Sequence, residues 1–258
     1  MITSRKNPKI QQLRALLAKK SLRQQSSQCV LEGVRLLEEA LDAKWQPLFG
    51  FHSTPLDQRS QAVLQHLSQC AAEMEEVPKD LLQYMADTQN PQGIIAVFEQ
   101  KPLPIPDSPT FVLILDALRD PGNLGTILRS AAAAGVDLVL LSDDCADPYS
   151  PKVLRSGMGA QFRLPLSTHP IPDILSFCQK HTLALFIADS NTGNSCWQEK
   201  YDRPLALVIG NEANGPSPTF HTAYAKSINI PMPGNFESLN AAVASGILMF
   251  EIVKQRQQ

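Results

Sequence analysis

Phe111-Val-Leu-Ile-Leu-Asp-Ala-Leu-Arg-Asp-Pro-Gly-Asn-Leu-Gly-Thr-Ile-Leu-Arg129 is the stretch that decides the fold. An apolar run, Phe111–Leu115, stops at Asp116, and a loop, Arg119-Asp-Pro-Gly122, leads into an Ala-rich helix that ends at Ala134-Gly135. A short apolar run bounded by turn residues predicts a strand buried on both faces. The pattern recurs at Val136–Leu141, Leu183–Ala188 and Leu205–Ile209. Ser238–Lys254 predicts a long final helix, apolar along Val243, Ile247, Phe250 and their neighbours one turn away. Strands separated by helices of this length predict a mostly parallel sheet, so the fold class is α/β.

Polar clusters follow these apolar runs. They read Asn123-Leu-Gly-Thr-Ile-Leu-Arg129, Gly210-Asn-Glu-Ala-Asn-Gly215 and Ile230-Pro-Met-Pro-Gly-Asn-Phe-Glu-Ser-Leu-Asn240. Each puts carboxamide, carboxylate, hydroxyl or guanidinium groups where a strand stops and a loop or helix begins. In an open α/β sheet that edge is where ligands bind. Three clusters on one edge predict a single pocket.

Upstream, Lys101-Pro-Leu-Pro-Ile-Pro-Asp-Ser-Pro109 holds the backbone extended and blocks helix, which predicts an interdomain linker over 101–109. It separates a small α/β domain over 1–100 from a second domain over 110–258. In the first domain, Asn7-Pro8 predicts a helix cap and a first-turn proline, with Ile10, Leu13, Leu16 and Leu17 on one helix face. A second helix is expected over Glu32–Ala43, a strand near Leu48–Phe51 and a helix near Gln58–Cys70. A helical turn after Pro78 and a strand over Ile94–Phe98 complete it.

The net charge of −2 hides an asymmetry: seven Lys or Arg and no acid lie between Met1 and Gln28. A basic arm suits a polyanion such as nucleic acid; a solvated helix face is the bland alternative, and a basic transit peptide a third. Five scattered cysteines, none in C-x-x-C spacing, argue against a disulfide framework and against zinc, and with the lack of a membrane-spanning apolar run they predict a cytoplasmic protein. The five histidines all lie outside the three clusters, which disfavours a His acid or base. The G-x-S-x-G elbow, the G-x-G-x-x-G fingerprint and the P-loop are all missing, as is any metal-ligand spacing. What remains orients a substrate and complements charge. It suits transfer of a group that a cosubstrate has already activated.

At these residues the chain resembles the SpoU class of the SPOUT superfamily, S-adenosylmethionine-dependent methyltransferases acting on RNA ribose 2′-hydroxyls, and within it the 23S rRNA guanosine-2′-O-methyltransferase group. The resemblance rests on Asp120–Arg129, Leu207–Gly215 and Ile230–Ala244, in that order, with Ser150-Pro-Lys-Val-Leu-Arg-Ser-Gly-Met-Gly-Ala160 between the first two. Asn7-Pro8-Lys9, Leu13, Glu32-Gly33 and Asn90-Pro-Gln-Gly-Ile94 are similar to the family's L30e-like substrate-binding domain. The resemblance implies S-adenosyl-L-methionine as cofactor, a deep trefoil knot in the C-terminal domain, and a homodimer whose site uses both subunits. It implies RNA as substrate, with ribosomal RNA favoured over transfer RNA. A resistance-type rRNA enzyme and a non-catalytic RNA-binding or ribosome-assembly protein on the same fold are the alternatives.

Carried onto this chain, the resemblance makes Asn123, Arg129, Glu212, Ser238 and Asn240 the catalytic set. Arg129 faces the hydroxyl, as general base in the family view or as a fixed cation, since a guanidinium stays protonated. Asn123 and Ser238 also read as plain helix caps, Glu212 as a partner for a guanidinium, and Asn240 as a polar group unexpected within a helix start. Gly210, Ile230, Met232 and Leu239 are implied to hold the adenosyl part of the cofactor. Arg5, Lys6, Lys9, Lys152 and Arg155 are the expected phosphate contacts, with Lys152, Arg155 and Arg163 placed near the same sheet edge.

Overall fold

The computed structural model describes residues 2–257 except Ala71, Gly193, Arg203, Glu212, Ala213, Ala223, Asn235 and Phe236. In chain order the elements are α1 (Pro8–Ala18), α2 (Lys20–Ser26), β1 (Gln28–Glu32), α3 (Val34–Asp42), β2 (Pro47–His52), α4 (Gln58–Gln69), β3 (Glu73–Glu76), α5 (Lys79–Met85) and β4 (Ile94–Glu99). They continue as β5 (Phe111–Leu115), α6 (Pro121–Ala133), β6 (Leu138–Leu141), α7 (Pro151–Gly157), β7 (Leu166–Thr168), α8 (Ile171–Lys180), β8 (Ala184–Ala188), β9 (Leu205–Ile209), β10 (Ala225–Ile228) and α9 (Ala241–Arg256). The chain divides into two compact units. One comprises 1–102 with 147–162, and the other 103–146 with 163–258.

The first unit is built on a four-stranded sheet of order β1-β4-β2-β3. Its central strand shows why it is a sheet core. Ile94, Ala96 and Phe98 enter one apolar cluster, and Ile95 and Val97 enter the other, because side chains alternate along a strand. Leu36, Leu37, Ala40 and Leu41 of α3 fill the first cluster; Ile10, Leu13 and Leu16 of α1 and Leu81, Leu82 and Met85 of α5 fill the second. Asn7 caps α1 by accepting the Lys9 N–H at 2.9 Å, with Pro8 in the first turn, as the Asn-Pro pair predicts. The helix expected from Glu32 starts at Val34, because Glu32 pairs with Ile95 as the last residue of β1. The short elements β1, α2 and β3 escape a periodicity reading. Their runs of four to seven residues carry too few turns of pattern.

Residues 147–162 lie far along the sequence but belong to this unit. Leu154 and Phe162 enter its core, and the Trp45 ring sits 4.7 Å from that of Phe162. Asp147 and Arg23 form a buried ion pair at 2.6 Å, and Arg23 also donates to the Leu17 carbonyl at the C-terminal end of α1. The linker prolines are therefore not the chain's single crossing point between the units.

The second unit carries a six-stranded sheet of order β10-β8-β9-β5-β6-β7, and every described pairing in it is parallel. The expected sheet is present, and fully rather than mostly parallel. The order reverses between β9 and β5: β6 and β7 extend one way from β5, while β8, β9 and β10 lie on the other side. Val112, Ile114, Ala206 and Val208 feed a core closed by Ile174 and Cys178 of α8. On α6, Leu124, Ile127, Leu128 and Ala131 are buried, and α6 packs against α9.

Alpha9 departs from the expected helix in two ways. It begins at Ala241, with Asn240 as its cap, so Ser238 lies outside it. Its buried residues include Ala242, Ser245, Leu248, Met249 and Ile252, whereas Val243 and Phe250 are 51% and 49% exposed. The apolar stripe read in the sequence is thus half-buried at Ile247 and exposed at its two ends in the single chain.

Candidate active site

The crevice between the ends of β5 and β9 is the switch point at which open parallel sheets bind ligands. Its floor is built from backbone geometry that the local sequence enforces. Asp116, 1% exposed, donates its N–H to the Ile209 carbonyl at 2.8 Å and accepts the Ser217 N–H at 2.7 Å. That carboxylate ties the loop after β9 to the end of β5. Ala117 then turns through φ 52°, a left-handed conformation costly for a residue with a Cβ. Ser142 holds this turn by accepting the Ala117 N–H at 2.9 Å. Cys145 Sγ donates to the Leu115 carbonyl, and the Ala146 N–H donates to that of Leu118 at 2.8 Å. Burial pushes the Cys145 thiol above its usual range, so it stays a protonated donor and not a nucleophile.

Gly210 ends β9 and has a steric reason to be glycine. The loop folds back through an Asn211–Gly215 bridge, and a Cβ on Gly210 would collide with the backbone of Gly215 and Pro216. Gly215 takes φ 65°, and Asn211 Oδ1 accepts the Asn214 N–H at 2.9 Å. Glu212, expected to fix a guanidinium, lies outside the described residues.

Asp120, not Asn123, caps α6. Its carboxylate accepts the Asn123 N–H at 2.8 Å, and Pro121 opens the helix. Asp-Pro-Gly is a capping signature that sequence reading could have used. Asn123 is released for another task, because its Oδ1 accepts a hydrogen bond from Asn240 Nδ2 at 3.1 Å. Asn240 Oδ1 meanwhile caps α9 by accepting the N–H groups of Ala242 and Val243 at 3.0 and 3.3 Å. One carboxamide therefore closes one helix start and ties it to another. This explains an Asn that looks out of place in sequence.

Arg129 lies between one and two turns beyond Asn123 on α6, exposed and without an ion pair among the described residues. Ser238 is exposed; Ile230, Met232 and Leu239 are half-buried along the chain joining β10 to α9. The structure thus brings the first and third clusters together through Asn123 and Asn240, and anchors the loop of the second to β5 through Asp116.

The expected phosphate contacts divide. Arg5 and Lys6 are exposed, whereas Lys9 is paired with Glu73 and Glu75, and these carboxylates hold its ammonium above the usual range. Lys152 and Arg155 lie on α7, which folds with the first unit and not with the parallel sheet. Arg155 is ion-paired with Asp87 at 2.6 Å. The acidic partners were invisible in sequence because they stand 64 to 68 residues away.

An all-parallel sheet with carboxamides and a buried tethering carboxylate at its switch point defines an α/β protein with a candidate ligand site at that sheet edge. More narrowly, the chain belongs to the SpoU rRNA Methylase family, whose model matches residues 110–250; the MRM3-like substrate binding domain matches residues 7–96. A Synechocystis protein described as an uncharacterized tRNA/rRNA methyltransferase is 34% identical over 261 residues, covering 99% of this chain and 94% of its own. The Bacillus subtilis 23S rRNA (guanosine(2553)-2′-O)-methyltransferase RlmP is 30% identical, covering 97% and 98%. The crystal structure of the SpoU methyltransferase AviRb from Streptomyces viridochromogenes, in complex with AdoMet, superposes with a TM-score of 0.89 at 27% identity, covering 98% and 99%.

Proposed function

We propose that the protein transfers a methyl group from S-adenosylmethionine to a ribose 2′-hydroxyl of large-subunit ribosomal RNA, and that it works as a cytoplasmic homodimer. The observation that carries this reading is the Asn123–Asn240 bond. It joins the first and third motif clusters beside the switch point, with Arg129 exposed further along the same helix. The 23S rRNA activity in the name of the Bacillus relative supports ribosomal over transfer RNA. Residues 1–100 are assigned to RNA binding, 101–109 to the linker and 110–258 to methyl transfer, with 147–162 folded into the RNA-binding unit.

The residues suit the cofactor. The loop closed over Gly210 offers backbone donors and acceptors, and half-buried Ile230, Met232 and Leu239 offer an apolar wall for an adenosyl group. A bound sulfonium supplies an already activated methyl, which leaves the protein to position a poor nucleophile. Arg129 acts as a fixed cation: it grips the phosphate beside the target ribose and stabilises the developing alkoxide. Holding the reacting atoms in line can supply roughly 7–11 kcal/mol in favourable cases. Asn123 and Asn240 fix the helix that carries Arg129, and Ser238 contacts the cofactor or Arg129 from the adjoining loop.

A second copy covers the exposed stripe of α9. Val243, Ile247 and Phe250 lie on one face of that helix, and Gly246 between them has open space where a Cβ would stand. The trefoil knot belongs to the same reading. It is supported by Asn240, which follows the edge strand β10 in the chain and lies against Asn123 in the first turn of α6.

The test uses radiolabelled methyl donor and deproteinised 23S rRNA from cells lacking the protein. Ribose labelling at one nucleotide is expected; labelling that is absent, or confined to bases, refutes the reading. Arg129→Lys should lose most of the rate, and near-full activity would remove any specific guanidinium role. Phe250→Lys should give a monomer by light scattering, against a dimer for the native chain.

A further inference from the structure

Two arginines in the first unit converge on one ring. The guanidinium carbon of Arg5 lies 4.4 Å from the centroid of Tyr84, and that of Arg14 lies 3.9 Å from it. At most about 8 Å separates the two charges, within roughly one Debye length at physiological salt, where like charges repel. Both side chains are exposed, and neither has an ion pair among the described residues. Elsewhere in the unit, Lys9, Arg23, Arg59 and Arg155 each have a carboxylate. Cation–π attraction to the ring offsets part of the repulsion and leaves the guanidinium edges available to accept an anion. Gln11 Nε2 donates to the Arg5 carbonyl at 2.6 Å, which also holds the backbone of the arm.

Tyr84 stands at the end of α5, and the loop that follows, residues 86–93, lacks regular structure yet is braced at many points. Glu32 accepts the Asp87 N–H at 2.8 Å and the Thr88 hydroxyl. Gln83 Nε2 donates to the Thr88 and Gln89 carbonyls at 3.3 and 2.9 Å. Gln92 Oε1 accepts the Val34 N–H at 2.9 Å, and Gly93 accepts the Ser53 N–H at 3.0 Å. Two carboxamides on this loop, those of Gln89 and Asn90, are exposed and have no intramolecular partner among the described residues. A carboxamide carries donor and acceptor together and matches the edge of an unpaired base. Bracing the loop in advance lowers the entropy cost of using it.

We propose that Arg5 and Arg14, seated on Tyr84, clamp a phosphate of the substrate RNA, and that Gln89 and Asn90 on the adjoining braced loop read unpaired bases beside it. The first unit then selects the target as well as adding affinity. The inference rests on the reading of the protein as an RNA methyltransferase and adds the residues that choose where it acts.

The test compares the native protein with Arg5→Gln/Arg14→Gln and Gln89→Ala/Asn90→Ala variants in full-length form. The probes are deproteinised 23S rRNA from cells lacking the protein and poly(U). The arginine variant should bind both probes more weakly. Its plot of log affinity against log salt should be shallower by about 0.7–0.9, the loss of one neutralised phosphate. The carboxamide variant should keep that slope and its affinity for poly(U), but lose about tenfold or more of its preference for rRNA, with a raised KM. Arg14→Lys keeps the charge without the planar fork and should fall between the native protein and the arginine variant. Thermal melting and cofactor titration should match the native protein for all of them, because every substituted side chain is exposed. Folded variants with native salt slope and native preference would overturn the proposal. If the native protein binds rRNA but methylates nothing, the proposed activity fails, and the binding comparison still decides the clamp.

Discussion

Asn240 is the side chain whose two ends do different things, and the two can be separated by substitution. Its Oδ1 caps α9, and its Nδ2 reaches Asn123 on α6. Asn240→Ala removes both. Losing an N-cap costs about 1 kcal/mol, with a range of about 0.5–2. The bond to Asn123 is solvent-exposed, so its contribution belongs at the low end for a neutral hydrogen bond, about 0.5 kcal/mol. The sum predicts a loss of about 1.5 kcal/mol. Asn240→Ser keeps a capping oxygen but is too short to reach Asn123, and should lose only about 0.5 kcal/mol. Urea denaturation of both variants, each with and without Asn123→Ala, closes a double-mutant cycle. Both cycles should give a coupling of about 0.5 kcal/mol, because Ser and Ala at 240 each remove the bond to Asn123. The same tie holds the helix bearing Arg129, so Asn240→Ser should lower kcat more than it raises the KM for RNA. If Ser and Ala at 240 are equally destabilising and neither couples to Asn123, the reasoning is wrong.

Asp147→Asn leaves the buried Arg23 guanidinium without its counter-charge and should destabilise the first unit by about 3–5 kcal/mol. Replacing both partners by apolar residues of similar volume should cost much less, as thermal denaturation would show. His52 is held below the usual value of 6.5, mainly by burial and against an opposing pull from Glu76. Its depressed value means that the unfolded chain binds a proton there before the native one does. Stability is then fully present above pH 6.5 and is lost as pH falls from that value through the native one. His52→Phe should flatten that part of a pH–stability curve; an unchanged slope would assign it to another group.

Much of the second unit was legible because its strands are uninterrupted apolar runs, and burial on both faces writes itself directly into composition. Phe111–Leu115 and Leu205–Ile209 were read to the residue for this reason. Helix starts were read less well. Three oxygen-bearing residues, Asp120, Asn123 and Ser238, all had the chemistry of a cap or of a site, and propensity cannot separate them. The Pro after Asp120 marks that residue as the cap, but only the hydrogen bonds show that Asn123 reaches across to Asn240. The final helix shows a different limit: periodicity reports an apolar face without saying what covers it. In the Val243–Ile247–Phe250 stripe, which satisfies the pattern, Val243 and Phe250 are exposed. The basic arm misled through its isolation in sequence, since the carboxylates that occupy Lys9 and Arg23 arrive from other segments.

Order along the chain was enough to establish the α/β class, the three motif clusters and the resemblance they carry, because each depends on neighbours within a few residues. Tertiary structure alone decided that residues 147–162 fold with the first unit, that Asp116 anchors the loop after Gly210, and that two arginines share Tyr84. These are contacts between residues 70 to 124 positions apart, and their energies depend on distance in space, which no local pattern of side chains encodes.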